Sequence, residues 1–385
     1  MTPAARFQTA AELLDAWNQG APIEKLLTAW ARRARYAGAK DRRNLRDLVY
    51  TILRQRGSLA DLAGGATGRH LILGLARRQG LDPDAVFSGA RYAPAALSTA
   101  ERARFQTPIS PDPERDLPAW LLDALHRSLG ADLPVIAAAF ADRAPVYLRV
   151  NLAKCTALQA IDMLHQDGIV ALPDERARAA LVLDGATGAL RTSHAYRSGL
   201  VEPQDLSVQM AVEAVEWPGP VLDYCAGGGG KALAIAALTG AAVDVHDADP
   251  ARMADIPVRA RRADADLRQI AKPGHKYMRV LTDVPCSGSG TWRRDPEAKW
   301  RLTQAALSSL MAQQAQILDR AAAFVAPGGR LIYMTCSLLR GENEEQVVGF
   351  LARNAGWHCH QHQQFTPLSA SDGFFFAEME KLSTN

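Results

Sequence analysis

The chain has 385 residues, of which 48% are hydrophobic and 22% charged, and it carries a formal net charge of +3. That is too long for one ordinary core, so two or three globular domains are expected. No apolar run is long enough to span a bilayer, the start of the chain lacks a signal-peptide apolar core, and the five cysteines are scattered without metal-type pairing. These features exclude a membrane protein and a disulfide scaffold, and point to a cytoplasmic protein with individual thiols.

Residues 7–105 have helical periodicity. Leu45, Leu48, Val49, Ile52 and Leu53 recur at helical spacing behind Asp41, a candidate cap. Between residues 32 and 56 lie Arg32, Arg33, Arg35, Lys40, Arg42, Arg43, Arg46, Arg54 and Arg56, against only Asp41 and Asp47. Such a cluster suits a polyanion or, more plainly, a solvated helix face. This gives a helical domain over 1–106. A proline-rich linker and a connecting helix fill 107–134.

Residues 135–203 change character. Val146, Leu148, Val150 and Leu152 alternate with polar residues as in a half-buried strand, and Thr156 opens a helix that Gly168 ends. Short strands are expected near 169–172, 181–183 and 189–192. The pattern is a small α+β domain of a kind that displays a sheet to RNA, or a packing adaptor.

From 204 to 385 helix and strand alternate. Strands are expected at 221–223, 241–246, 279–282 and 330–334, with helices at 232–238 and 302–325. This is an α/β domain with a doubly wound, mostly parallel, Rossmann-like sheet. In such sheets ligands bind beyond the carboxyl ends of the strands.

The first of these strands runs into Cys225-Ala226-Gly227-Gly228-Gly229-Gly230-Lys231. Glycines let backbone approach a ligand, and the following helix offers free N–H groups. The pattern is neither a dinucleotide fingerprint nor a P-loop. The next strand ends in Asp247, a bidentate acceptor for ribose hydroxyls, with Asp249 better read as a cap. A third ends in Asp283, which faces the cofactor or a base. Carboxylates around a glycine turn suit a ribose, a carboxylate and a sulfonium better than a pyrophosphate, so the expected cofactor is S-adenosylmethionine.

The stretch Asp283-Val-Pro-Cys286-Ser-Gly-Ser-Gly places a carboxylate and a thiol at one strand end, and Thr335-Cys336-Ser337 places a second thiol at another. Carbon 5 of cytosine accepts a methyl group only after a thiolate has added at carbon 6, while an acid near ring nitrogen 3 stabilises the charge. Two thiols and one acid fit that chemistry. The alternatives are buried cysteines acting as small hydrophobes, or a redox pair, against which the lack of Cys-x-x-Cys speaks. The His-rich tract Trp357-His358-Cys359-His360-Gln361-His362 reads as a surface strand, and no metal is expected.

The Asp283 and Cys336 loops, Arg293-Arg294-Asp-Pro, Glu342-Asn343-Glu344, Asp372-Gly-Phe-Phe, Arg149-Val-Asn151 and Gln204-Asp205-Leu-Ser207 together resemble the Sun/RsmB family of RNA (cytosine-5) methyltransferases, firmly over residues 118–385. The N-terminal stretch resembles the NusB-like domain of the bacterial ribosomal-RNA members. The resemblance implies Cys336 as nucleophile, Cys286 in product release and Asp283 as the acid. It implies Cys225 to Lys231 as the S-adenosylmethionine loop and Asp247 as the ribose acid. RNA contacts are expected from Arg149, Asn151, Arg293 and Arg294, with Trp292 beside them. The implied partner is RNA, most simply small-subunit ribosomal RNA, with no membrane and no obligate protein partner. One departure is Gly227-Gly228, where the family carries Ala-Pro, which loosens the loop. A second is the adenine-side acid, for which Asp264 and Asp266 are candidates, although a strand at 267–270 would put Ala271 at that position and leave the acid absent. The alternative function is a non-catalytic RNA-binding ribosome-assembly factor with a degenerate site.

Overall fold

The computed structural model describes residues 1–108, 110, 112–185 and 188–382. Ile109 and Pro111 of the expected linker, residues 186–187, and residues 383–385 lie outside the described residues. The chain forms two compact units, Met1–Arg143 with Trp292–Arg301, and Ala144–Thr291 with Leu302–Asn385. No helix among the described residues is long and apolar enough to cross a membrane.

The first unit is helical. Helices Pro3–Asn18, Ile23–Arg33, Ala39–Arg54, Arg56–Ala63 and Gly68–Arg78 surround a core containing Leu14, Leu45, Val49, Ile52, Leu53 and Leu71. The spacing in Ala39–Arg54 puts its apolar residues on one face, with Arg42, Arg43 and Arg46 exposed on the other, while Arg54 is buried. Asp41 is not the cap: Gly38 holds that position, and the Asp41 carboxylate sits in the first turn, 3.3 Å from the chain's own ammonium group. The segment Trp292–Arg301 belongs to this core. Lys299 Nζ donates to Arg54 O (2.9 Å), Trp300 Nε1 to Leu53 O (2.7 Å), and Arg54 Nε to Arg293 O (2.6 Å).

The second unit holds two sheets. The smaller comprises β1 (Tyr147–Val150), β2 (Val170–Pro173), β3 (Ala180–Asp184) and β4 (Val201–Pro203), in the order β2-β3-β1-β4. Thr156 caps the helix Ala157–Gln166 in a capping box with Gln159. The expected strand at 189–192 is a short 3-10 turn, Leu190–Thr192.

The larger sheet comprises β5 (Val221–Asp223), β6 (Val243–Val245), β7 (Leu267–Gln269), β8 (Tyr277–Asp283), β9 (Val325–Thr335), β10 (Trp357–Phe365) and β11 (Phe374–Lys381). Its order is β10-β11-β9-β8-β5-β6-β7, with β5 to β9 parallel and β10 and β11 antiparallel. β5 and β8 lie side by side, as do β8 and β9, so Asp223, Asp283 and Thr335 all end at one rim. β9 is longer than its sequence suggests, because Pro327-Gly328-Gly329 is accommodated as a register shift rather than a boundary: Tyr277 faces Val325 but Arg279 faces Arg330.

Candidate active site

The two thiol loops meet at that rim. Cys286 Sγ lies 3.3 Å from Cys336 Sγ, and both are free thiols. The pairing is asymmetric. The Cys286 S–H donating to Cys336 stabilises a Cys336 thiolate and lowers its pKa, with the Lys231 ammonium adding to the effect. The same contact, reinforced by burial, pushes the Cys286 thiol well up. One thiol is thus prepared as a nucleophile and the other as its proton-bearing neighbour.

Lys231, at the start of the helix Gly230–Thr239, donates to Asp283 Oδ2 at 2.5 Å. Burial pulls the lysine pKa down, but the Asp283 carboxylate more than offsets this and holds the ammonium form. Its Nζ also sits 5.3 Å from the centre of the Phe374 ring. Glycines shape the rim. Gly288 has φ +66, and a Cβ on Gly290 would stand 2.1 Å from Gly373 O, so only glycine fits there.

A residue given no role from sequence joins the loops. Glu342 is fully buried. Its carboxylate accepts from Ser287 N (2.8 Å), Ser287 Oγ (2.5 Å), Ser337 Oγ (2.6 Å) and Gln314 Nε2 (3.0 Å). One carboxylate therefore ties the residue after Cys286 to the residue after Cys336. Asn343 accepts from Thr335 Oγ1 (2.6 Å) and donates to Ser337 O (2.9 Å). The acidic Glu-Asn pair after the second thiol was visible as a motif, but only the fold shows what it holds.

The glycine loop lies beside this cluster on the adjoining strand. Gly227 and Gly229 have φ +49 and +76, and Gly227 N donates to Asp247 Oδ2 (2.9 Å). Asp247 also accepts from Asp249 N (2.9 Å), and Asp249 caps the turn Pro250–Met253 as its sequence suggested. Cys225 is half-buried in the loop, and desolvation first, then the nearby carboxylates, push its thiol pKa up, which keeps it as the unreactive thiol. Asp223 is a further acid that sequence reading passed over as strand. It is 1% exposed, burial raises its pKa to about 7, and its Oδ1 has no hydrogen-bond partner among the described residues. An orphaned buried acceptor beside Asp247 and the Lys231–Asp283 pair fits a ligand bearing hydroxyls and positive charge, and does not fit a polyphosphate. Asp264 and Asp266 both precede β7, at the end away from this rim; Asp266 is paired with Arg268 at 2.9 Å.

The expected RNA-contacting residues are placed elsewhere. Arg149 is 6% exposed and donates through Nε to Gln204 Oε1 (2.8 Å). Asn151 is also 6% exposed and donates to Ala263 O (2.7 Å) and Gly199 O (3.3 Å). Trp292 and Arg293 are buried in the helical unit, Trp292 edge-on to Phe140 at 6.3 Å, while Arg294 stays at the surface. Buried in this way, Arg149 is satisfied by the Gln204 side chain and Asn151 by backbone carbonyls, as burial of polar groups demands. In the histidine tract on edge strand β10, His358 and His360 bring ligand atoms within 4.8 Å of each other and of Glu380, against which Arg330 already sets a cation at 2.9 Å.

Rossmann-like sheet, glycine loop, acidic strand ends and paired thiols together define an S-adenosylmethionine-dependent methyltransferase. The family described as 16S rRNA methyltransferase RsmB/F matches residues 210–380, and its RsmF/B-like ferredoxin-like domain matches residues 117–189. Ribosomal RNA small subunit methyltransferase B of Xylella fastidiosa (strain 9a5c) is 32% identical over 317 residues, covering 76% of this chain and 74% of the relative. The probable ribosomal RNA small subunit methyltransferase B of Synechocystis is 28% identical, covering 72% and 69%. The chain belongs to the RsmB/F family, and is an RNA methyltransferase of the cytosine-5 class. Among solved structures, PH0851 superposes with a TM-score of 0.74 at 21% identity, covering 99% of each chain. NSun6 from Pyrococcus horikoshii with SFG gives 0.62 at 17% identity, covering 69% of this chain and 99% of that one.

Proposed function

We propose that the chain methylates cytosine carbon 5 in small-subunit (16S) ribosomal RNA through a covalent adduct between Cys336 and carbon 6 of the base. The observation that carries this reading is the thiol pair at 3.3 Å, with the Cys336 pKa lowered and that of Cys286 raised. The Cys336 thiolate adds to carbon 6. Charge developing on the ring is stabilised by the Asp283–Lys231 pair, and carbon 5 becomes nucleophilic. Asp223, Asp247 and the loop from Cys225 to Lys231 would hold S-adenosylmethionine, which when bound would supply the electrophilic methyl group. Loss of the carbon-5 proton to solvent then expels Cys336 as thiolate, and the Cys286 S–H, beside that sulfur, stabilises the departing thiolate and so takes part in product release. The base must be unpaired or extruded to reach the thiols.

Cytoplasmic ribosomal RNA needs a grip outside the catalytic rim, and the helical unit offers one. A cleft of about 570 Å³ is lined by Leu27, Trp30, Arg32, Arg42, Arg43 and Arg46, of which Arg46 is paired with Glu24 at 2.6 Å. Guanidiniums around a tryptophan suit a phosphate backbone with a stacked base. No protein partner is needed for either step. The intact thiols, acid and lysine speak against the reading of a non-catalytic assembly factor.

The test is methyl transfer from labelled S-adenosylmethionine to ribosomal RNA, with the product base mapped by bisulfite sequencing. Cys336→Ala should lose activity by more than about 10³-fold while retaining RNA binding. Full activity in that variant, or a product other than 5-methylcytosine, overturns the reading.

A further inference from the structure

The glycine run from Gly227 to Gly230 is conformationally permissive, so ordering it costs entropy unless something fixes its peptide planes. The structure shows what does so. Arg259, on the helix Ile256–Ala263, donates through Nη1 to Gly228 O and through Nη2 to Glu202 Oε1 on β4 (2.8 Å). The other Glu202 oxygen accepts from Arg262, whose guanidinium lies 4.0 Å from the centre of the Tyr196 ring. A second route runs alongside. Arg149 on β1 faces Glu202 across the ladder and holds Gln204 Oε1, and Gln204 Nε2 donates to Gly230 O at 3.2 Å. Both routes begin in the small α+β sheet and end on carbonyls of the glycine loop. A peptide's C=O and N–H point in opposite directions. Drawing the Gly230 carbonyl toward Gln204 therefore turns the Lys231 N–H the other way, out of the helix N-terminus.

We infer that Arg259, anchored by Glu202, is a positioning residue for the cofactor loop, and that the α+β sheet thereby forms part of the S-adenosylmethionine site. The glycine at 228 is the counterpart of this arginine. A Cβ there would stand 2.8 Å from Arg259 Nη1, so the guanidinium occupies the space a side chain would take. The same pairing accounts for a loop of glycines where a stiffer sequence would otherwise be required. The brace replaces local stiffness with a tertiary hydrogen bond to a charged donor.

The inference rests on cofactor use and not on the thiol chemistry, so its test reads cofactor binding directly. Calorimetric titration with S-adenosylmethionine is compared for the parent, Arg259→Met, Glu202→Gln, Gly228→Ala and the double variant Arg259→Met/Gly228→Ala, beside KM and kcat on ribosomal RNA. Loss of one charged hydrogen bond predicts a Kd about tenfold weaker for Arg259→Met, with KM for the cofactor rising in parallel and kcat at saturation within about twofold. Glu202→Gln, which retains the Arg259 side chain but weakens its charged anchor and serves if Arg259→Met does not fold, should weaken binding about threefold. Gly228→Ala should also weaken it, and the double variant should be no worse than Arg259→Met alone. A Kd within twofold of the parent in folded Arg259→Met or Glu202→Gln, or full additivity in the double variant, overturns the inference. A methyltransferase lacking the Cys336 adduct would still give the expected binding pattern, so the two readings fail separately.

Discussion

Lys231, half-buried, and Lys299, buried, both lie in stretches whose composition suggests an active site, and they do opposite things. Lys231 sits on the Asp283 carboxylate and within the field of Cys336, and its ammonium form is held. Lys299 is 1% exposed, among the described residues its one hydrogen-bond acceptor is the Arg54 carbonyl, and burial lowers its pKa to about 7. The continuous stretch from Asp283 to Trp300 divides in the same way. Its first part carries the acid and a thiol at the rim of the large sheet, and its second part is core of the helical unit. Basic and aromatic residues look alike in sequence whether they meet a ligand or a carbonyl; what differs is the company that tertiary structure gives them.

The sharpest way to break this contrast is to remove each lysine. Lys231→Met should lower the methyl-transfer rate by about 10²-fold, because it takes away the charge that favours the Cys336 thiolate and partners Asp283. Lys299→Met should leave the rate within about twofold and change stability instead. The sign follows from its depressed pKa. Below pH 7 both folded and unfolded states carry the proton and the burial penalty is at its full size. Between about 7 and the ordinary lysine value only the unfolded state binds the proton, so stability rises with pH. Thermal unfolding of the parent relative to Lys299→Met should therefore improve from pH 7 toward pH 10. A flat difference would show that the lysine is not buried as described.

Next in size is Glu342→Gln, which keeps the shape but weakens the hydrogen bonds from Ser287 and Ser337. About a tenfold loss of kcat is expected, with cofactor affinity unchanged. Cys286→Ala should move the acid limb of the single-turnover pH–rate profile for adduct formation upward, because the S–H that lowers the Cys336 pKa is gone. An unmoved limb would assign the lowering to Lys231 alone. The smallest effect on chemistry is expected from Arg42→Glu/Arg43→Glu. RNA affinity should fall, and the slope of log affinity against log salt should shrink by about 1–2, with kcat at saturating RNA retained.

Much of the catalytic rim was legible because its parts are local. Asp283 and Cys286 share one strand end, Cys336 closes another, and the glycine turn precedes Lys231 within one loop. The parallel order of the sheet, which brings these ends together, follows from helix–strand alternation. What could not be read depends on contacts between distant residues. Glu342 reveals its role only when both serine loops reach it, and Asp223 reads as one more strand residue until its orphaned oxygen is seen. Arg149 and Asn151 were expected at RNA, yet each is buried against protein groups, the first against Gln204 and the second against backbone carbonyls. β11 escaped notice because its aromatic run, Phe374-Phe375-Phe376, is buried on both faces and shows no alternation.

The central claim is that the sulfur of Cys336, and not that of Cys286, becomes bonded to the base. Incubating Cys286→Ala with ribosomal RNA and S-adenosylmethionine, then resolving protein on a denaturing gel with peptide mass mapping, tests it most directly. A denaturant-stable RNA–protein complex joined through Cys336, and absent from Cys336→Ala/Cys286→Ala, is the predicted result. A complex joined elsewhere, or methylation that proceeds undiminished without Cys336, would contradict the account.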